Sequence, residues 1–447
     1  MEEGRAPSAE LEARPDPAAA EAAYERSVWD NLPRNFAGHF LHGMLGMTGF
    51  RLFNAPTFLP AYLYLLSGSD FLVGLGQSLQ QLGGVVSPVI GATQIEHRKR
   101  VLPVAMLMGT LMRIQILGVA LAGFFLHGRT LLITVLVFLF LLGLFSGPQQ
   151  VAFQLLLAKV IPISRRGLLQ AVRNVTGGAI AAGLAWFAGH YIIQRNLFGN
   201  GYGTTFLLAF VLTSLGLTAL RILMREPEPP TTRAKSRLFD RVREFPIMLT
   251  QDRAFMFFMI AQTLATTARV AAPFYILFAG RSMVLDGKNL GLVSLAFLGA
   301  DTVTNLGWGL AGDRFGFRST FIVSVACWIA ATALLMAAPA MGAHHLSLDV
   351  RSVILLAFFG LGAAQSGFLM SSQTMVLEFG ARDDIAMRLA LTSTAQGAMS
   401  AIGPLAGGLI AASFGYQALF GVSIGFLLTA LVILVTRVEE PRFRGVA

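Results

Sequence analysis

Cysteine is almost missing. The 447-residue chain holds one, Cys327, so neither an intrachain disulfide nor a cysteine-built metal site is open to it. Charge is scarce too, at 13% of residues against 55% hydrophobic ones, with a mean hydropathy of +0.64. That balance excludes a water-soluble fold, because no single core could hide so much apolar surface. The first thirty residues are rich in Ala, Glu and Pro and have no basic stretch ahead of an apolar one; this excludes a cleavable signal peptide and reads as a cytosolic tail. Phosphate-binding loops, nucleophile–base arrangements and metal-ligand spacings are all lacking, so neither an enzyme nor a nucleotide-driven pump is expected, and no cofactor or metal. The formal net charge of +10 sits in short loops between apolar segments, which speaks for membrane topology rather than nucleic acid as a partner.

What is abundant is the apolar run. Segments of bilayer-spanning length, about 20 residues or more, fall at 36–66, 71–95, 101–125, 130–157, 167–193 and 204–224, and again at 254–280, 288–311, 319–338, 350–378, 385–413 and 415–437. The fold class expected is an all-α polytopic membrane protein, twelve transmembrane helices in two pseudo-symmetric six-helix bundles. Its divisions are a tail at 1–35, a bundle at 36–224, a linker at 225–253, a second bundle at 254–437 and a tail at 438–447. The linker opens with Glu226-Pro227-Glu228-Pro229-Pro230 and continues into a surface helix whose Leu238, Phe239, Val242, Phe245 and Leu249 share one face. Lys and Arg crowd the loops on the side of both termini, while the opposite loops carry only Arg129, Arg195, Arg281, Lys288 and Arg351. The positive-inside rule therefore places both termini in the cytosol, across a plasma (cytoplasmic) membrane.

A shift of 218 residues lays the second half on the first, as a parallel two-fold repeat requires. Gly91, ahead of Glu96-His97-Arg98-Lys99-Arg100, falls on Gly309, ahead of Asp313-Arg314-Phe315-Gly316-Phe317-Arg318. Ser164-Arg165-Arg166 falls on Arg382-Asp383-Asp384, and Arg51 in the first span falls on Arg269 in the seventh. The run Gly309-x-x-x-Asp313-Arg314-x-Gly316-x-Arg318 resembles the signature of the major facilitator superfamily, and the twelve spans, linker and repeat extend the resemblance over about residues 34 to 437. The N-terminal copy departs from it, with Ile95 and Glu96 at the positions of Asp and Arg. The resemblance implies that the loop after the eighth span acts as a cytosolic latch between the halves, with Asp313 working near the start of the fifth span around Gly167. Topology alone would give Arg314 and Arg318 the lesser role of anchors.

Ionisable groups at bilayer depth are expensive and mark function by default. Arg51 lies about 22 Å along the first span at 1.5 Å per residue, and Arg269 is placed alike in the seventh. The resemblance implies that spans one, four, seven and ten line a central cavity, which sets the two arginines facing each other; facilitators that exchange organophosphates for phosphate use such a pair. Guanidinium forks suit carboxylate or phosphate oxygens. Thr266 and Gln262 share the face of Arg269, while Gln150 and Gln154 on the fourth span and Gln365 on the tenth supply further hydrogen-bonding groups. The rival reading holds both arginines with carbonyls or with Asp301. Asp301, the acid at mid-membrane depth in the eighth span, shares a face with Asn305 and Trp308 and is the candidate carrier of a coupling proton, or else a static counter-ion.

Arg113, Arg173, His39, His42 and His190 read as structural groups. Gly403-Pro404-Leu405-Ala406-Gly407-Gly408 in the eleventh span resembles an element that facilitator antiporters carry in the fifth; its own reading is a bent, closely packed helix. The function expected is secondary transport of a small anionic or amphiphilic organic solute by alternating access, by a monomer in the lipid bilayer, with the coupling ion open and protons a candidate for it. Proton-driven efflux of drugs or lipid-like amphiphiles is the second reading, and a facilitator-like sensor or scaffold that does not transport is the third.

Overall fold

A computed structural model describes residues 17–95, 98–228, 252–343, 349–379 and 385–440. The linker helix expected around Leu238 to Leu249, most of the N-terminal tail, the Glu96-His97 pair and the Arg382-Asp383-Asp384 loop lie outside the described residues.

The first half runs α1 (Pro17–Asp30), α2 (Leu32–Phe53), α3 (Phe58–Ser67), α4 (Asp70–Ile95), α5 (Leu102–Phe125), α6 (Gly128–Val160), α7 (Ile163–Phe187) and α8 (Gly201–Leu223). The second runs α9 (Arg253–Thr267), α10 (Tyr275–Ala279), α11 (Gly287–Phe315), α12 (Phe317–Ala343), α13 (Val350–Glu378) and α14 (Ile385–Thr436). Among the described residues twelve crossings result once the breaks are taken into account. The pair α2–α3 forms the first span, and α9, a 3-10 segment at Ala268–Phe274 and α10 form the seventh. The 52-residue α14 makes both the eleventh and the twelfth, divided at Gly415, whose φ of 82° is open to glycine at little cost. Among the described residues, eight helical stretches are long and apolar enough to cross a membrane, with Arg253–Ala279 counted as one of them across its 3-10 segment and Leu391–Thr436 of α14 as another.

The breaks follow from proline. Pro56 follows the end of α2, and Pro273 lies inside the 3-10 segment. Proline donates no N–H and disfavours a helical residue before it. Both breaks come within a few residues of an arginine, Arg51 in one half and Arg269 in the other, so the repeat seen in the sequence extends to the interruption of the helix. Starts are set by acids and amides: Asp252, Asp286 and Asn200 accept from the N–H groups of Phe255, Asn289 and Gly203 at 3.0, 2.9 and 2.9 Å.

In the first half α2 packs on α7 and α8, α4 on α6, and α5 on α6 and α8; in the second, α13 packs on α11 and α12 while α14 covers α9 and the 3-10 segment. The halves meet along two seams related by the repeat, α4 against α14 and α7 against α11. Without a hydrophobic drive between helices in lipid, close packing of small residues carries such contacts. A Cβ at Gly143 would stand 1.9 Å from the Gln80 carbonyl oxygen, and one at Gly362 would stand 2.1 Å from that of Phe297. Gly143→Ala should therefore part α6 from α4 and cost about 1–3 kcal/mol. A melting temperature in detergent no lower than that of the parent would contradict this packing.

Candidate functional site

At the level of Arg51, halfway through the bundle, four helices leave a cavity of about 330 Å³ between the halves. Arg51 enters it from α2, and Asn174 and Val175 from α7. Across from them stand Asp301, Thr302 and Asn305 of α11, with Ser366, Leu369, Met370, Gln373 and Thr374 of α13. The 3.6-residue period explains the selection: Asp301 and Asn305 are one turn apart on α11, while Ser366, Met370 and Gln373 recur along one face of α13.

The feature that joins the halves is an ion pair. Arg51 Nη1 lies 3.1 Å from Asp301 Oδ2, with the two side chains 26% and 14% exposed, and it also donates to Thr302 Oγ1 at 3.5 Å. Glycine makes room for it. A Cβ at Gly178 on α7 would fall 2.2 Å from Thr302 Oγ1 and 2.9 Å from Arg51 Nη1. Asn305 Nδ2 donates to Ser366 Oγ at 3.0 Å and Trp308 Nε1 to the Ala363 carbonyl at 2.9 Å, fixing α11 on α13. The lining is thus one cation, one acid, a set of neutral amides and hydroxyls, and three apolar side chains, Val175, Leu369 and Met370.

On the side away from the termini the halves are closed on each other. Gly189, within a π-helical turn at Ala188–Ile193, meets Gly287 and Gly291 so closely that a Cβ on it would stand 2.4 Å from Gly291 Cα. Gly74 is packed on the Pro404 carbonyl and Gly408 on that of Asp70, so the Gly403–Gly408 run works as a close-contact surface between halves. Tyr416 donates to Asp70 at 2.5 Å, the Leu405 N–H donates to Ser78 Oγ at 2.8 Å, and the hydroxyls of Thr57 and Ser294 share a short hydrogen bond. From the Arg51–Asp301 pair the cavity runs the other way, toward Gln373 and Thr374 near the end of α13 on the side of the termini.

The other residues singled out in the sequence are spread more widely. Arg269 is half-buried in the 3-10 segment and is not in the lining of this cavity. Gln262 donates to the Ser372 carbonyl of α13 at 3.4 Å and Thr266 to the Gln262 carbonyl of its own helix at 2.8 Å, both side chains 2% exposed. Gln150 and Gln154 are exposed on α6, and Gln365 stands one residue from the lining Ser366. Arg113 donates to the carbonyls of Thr213 and Gly109 at 2.7 and 2.6 Å, and Arg173 lies across Gly43 and donates to Gln170. His42 stacks on Phe153 and His190 on Trp186.

In the signature loop, Gly309 approaches Met370 of α13 and Asp313 is exposed at the end of α11. Arg314 lies over the Phe315 ring. Gly316, at φ 86°, presses against Glu440 where no side chain would fit. Arg318 receives Glu440 on its backbone N–H at 3.1 Å and donates to the carbonyls of Leu434 and Val435 at 3.1 and 2.9 Å. The first half repeats this device, with the Glu226 carboxylate on the N–H groups of Val101 and Leu102, both at 2.7 Å, and Lys159 3.3 Å away. Each acid directly precedes a proline just after the last span of its half, a signal visible in the sequence as Glu226-Pro227 and Glu440-Pro441.

The profile of the Major Facilitator Superfamily matches residues 254–446. No curated protein matches the chain in sequence. In three dimensions it is similar to the nucleoside transporter NupG, at 13% identity and a TM-score of 0.64 over 89% of this chain and 97% of that one. It is similar also to a D-xylose-proton symporter, at 14% identity and a TM-score of 0.66 over 92% and 98%. A third likeness is to a bacterial homologue of the iron transporter ferroportin in an inward-facing state, at 15% identity and a TM-score of 0.62 over 90% and 98%. Identities this low establish the fold and leave the cargo open. The family's profile thus matches the second half of the chain, and the fold of these solved structures extends over about nine-tenths of its length.

Proposed function

We propose that the protein is a secondary transporter that moves a small, polar organic solute through the cavity at Arg51 and Asp301 by alternating access of two halves, residues 36–224 and 254–437. The observation that carries this is the ion pair itself, since it ties one half to the other inside a cavity of small-molecule size. Closure on the side away from the termini makes this the conformation open toward the termini, and the positive-inside rule supports the reading that this side is cytosolic. In the opposite conformation, the loop of Gly309, Asp313, Arg314, Gly316 and Arg318 latches the cytosolic side. Arg51 and the lining amides bind the cargo. Arg269, with Gln262, Thr266, Gln150, Gln154 and Gln365, serves the opposite opening, where the rocking of the halves changes which faces meet the centre. A polar lining with three apolar members, Val175, Leu369 and Met370, favours a hydrophilic cargo over a drug-like amphiphile.

The test is solute counterflow in proteoliposomes with a labelled panel of monocarboxylates, sugars, nucleosides and amino acids. One class should exchange, and Asn174→Leu or Gln373→Leu, which fill the lining without touching the ion pair, should weaken it about tenfold or more, an effect of at least 1.4 kcal/mol. If no class exchanges, or if filling the lining changes nothing, the reading is wrong.

A further inference from the structure

The Arg51–Asp301 pair limits what charge the cavity can accept. Arg51 is the cation of the lining and Asp301 its resident anion. Every other lining group is neutral. An anionic cargo that seats on Arg51 has to take the place of the Asp301 carboxylate. It would leave that carboxylate, 14% exposed midway along α11, unpaired beside a second negative charge, an arrangement that is avoided by binding a proton. Among the described residues no other charge in the cavity lining relieves it. Of the elements packed on α11, α7 directs Arg173 onto Gly43 and Gln170, the π-helical turn stacks His190 on Trp186, and α12 gives Cys327 to the Gly360 carbonyl. The remaining charged residues of α7, α12 and α13 stand at helix ends.

Resting on the transport reading above, we infer that the cargo is a monoanion, a carboxylate in its simplest form, which binds Arg51 only as Asp301 takes up one proton, so that anion and proton move together in equal number. The bookkeeping closes at each step. A water-borne proton from the side to which the cavity is open adds to an Asp301 oxygen; the Arg51–Asp301 contact is exchanged for an Arg51–cargo contact; the loaded cavity keeps the net charge of the empty one. On the other side the cargo leaves, Asp301 returns its proton to water and the pair re-forms. Because the pair is also a tie between the halves, the exchange replaces a bond that spans them with one that the cargo carries.

The experiment is calorimetric titration of the full chain in detergent with acetate, lactate and benzoate. Glycine betaine and xylose serve as the zwitterionic and neutral probes, and each titration is run in two buffers of different ionisation enthalpy. A carboxylate should bind with about one proton taken up, and its Kd should weaken about tenfold per pH unit where Asp301 is ionised. In Asp301→Asn, uptake should fall to zero and the Kd should become flat with pH and about tenfold or more tighter near neutrality. Asp301→Glu keeps an acid and should keep the proton, which guards against a variant that simply misfolds. Carboxylate binding without proton uptake, or with an unchanged pH slope in Asp301→Asn, overturns the inference. So does binding of betaine or xylose with none of the carboxylates, although counterflow of those probes would leave the transport reading standing. Absence of counterflow for every probe instead defeats the transport reading itself.

Discussion

Arg51→Ala should abolish accumulation of the cargo and lower the melting temperature by about 3–6 °C, and adding Asp301→Asn should restore most of the stability without restoring transport. The single change strands the Asp301 carboxylate, which is 14% exposed and sits midway along α11 with its partner gone. Removing one member of a buried pair costs about 3–5 kcal/mol, and the lower end applies because the pair meets the cavity. The double change removes both charges and replaces them with groups that need no counter-ion. Transport stays absent because neither an anion-binding guanidinium nor a proton-binding carboxylate remains. The two readouts thus move apart, whereas a purely structural pair would recover in both. Equal stability of the single and double variants would mean that Asp301 has another partner and that the pair is no tie.

The organisation of the chain was legible in its sequence because lipid leaves few choices. Every backbone polar group must be satisfied within a helix, so apolar runs of sufficient length report crossings. The expected spans agree with the helices to within several residues, and the Gly415 break falls on the first residue of the segment expected at 415–437, directly after the one expected at 385–413. The offset that brings Arg51 onto Arg269 also relates the two helix breaks. Hydropathy did not register those breaks, since Phe53, Ala55 and Phe58 continue the apolar run across the first, and only Pro56 and Pro273 signal them.

The site was legible in kind more than in membership. Asp301 stood out as a mid-membrane acid and as one of several partners for Arg51, but their meeting depends on how closely α7 crosses α11, which is decided by the missing side chain of Gly178. Helical period groups Gln150 with Gln154 and Gln262 with Thr266, yet period alone does not say which face of a helix meets the centre. Gln262 and Thr266 turn out to face the backbone of α13 and their own helix. Asn174, Ser366, Gln373 and Thr374 gave no warning, because amides and hydroxyls within spans also serve ordinary helix packing.

Gly189→Leu should trap the protein open on the side away from the termini and reduce counterflow about tenfold or more. Closure there depends on α7 and α11 touching at backbone distance, with Gly189 on Gly287 and Gly291, so any side chain at 189 forces the helices apart. The π-helical turn at Ala188–Ile193 holds Gly189 in that position, and such turns concentrate where a helix is adapted for function. A leucine adds three carbons beyond a Cβ that already has no space, and overpacking of this kind costs about 1–3 kcal/mol. The conformation that lacks the contact escapes that cost. A shift of 1.4 kcal/mol changes the ratio of two states tenfold, enough to make transport limited by the return to the closed arrangement. In a Cys327→Ser background, a cysteine placed at Thr57, now buried against Ser294, should pass from protected to reactive toward a membrane-impermeant maleimide when Gly189→Leu is added. Gly189→Ala should lie between the parent and the leucine variant. Unchanged labelling together with unchanged counterflow would show that the seam opens without passing through this contact, and would shift the far-side gate to the other seam, at Gly74 and Pro404.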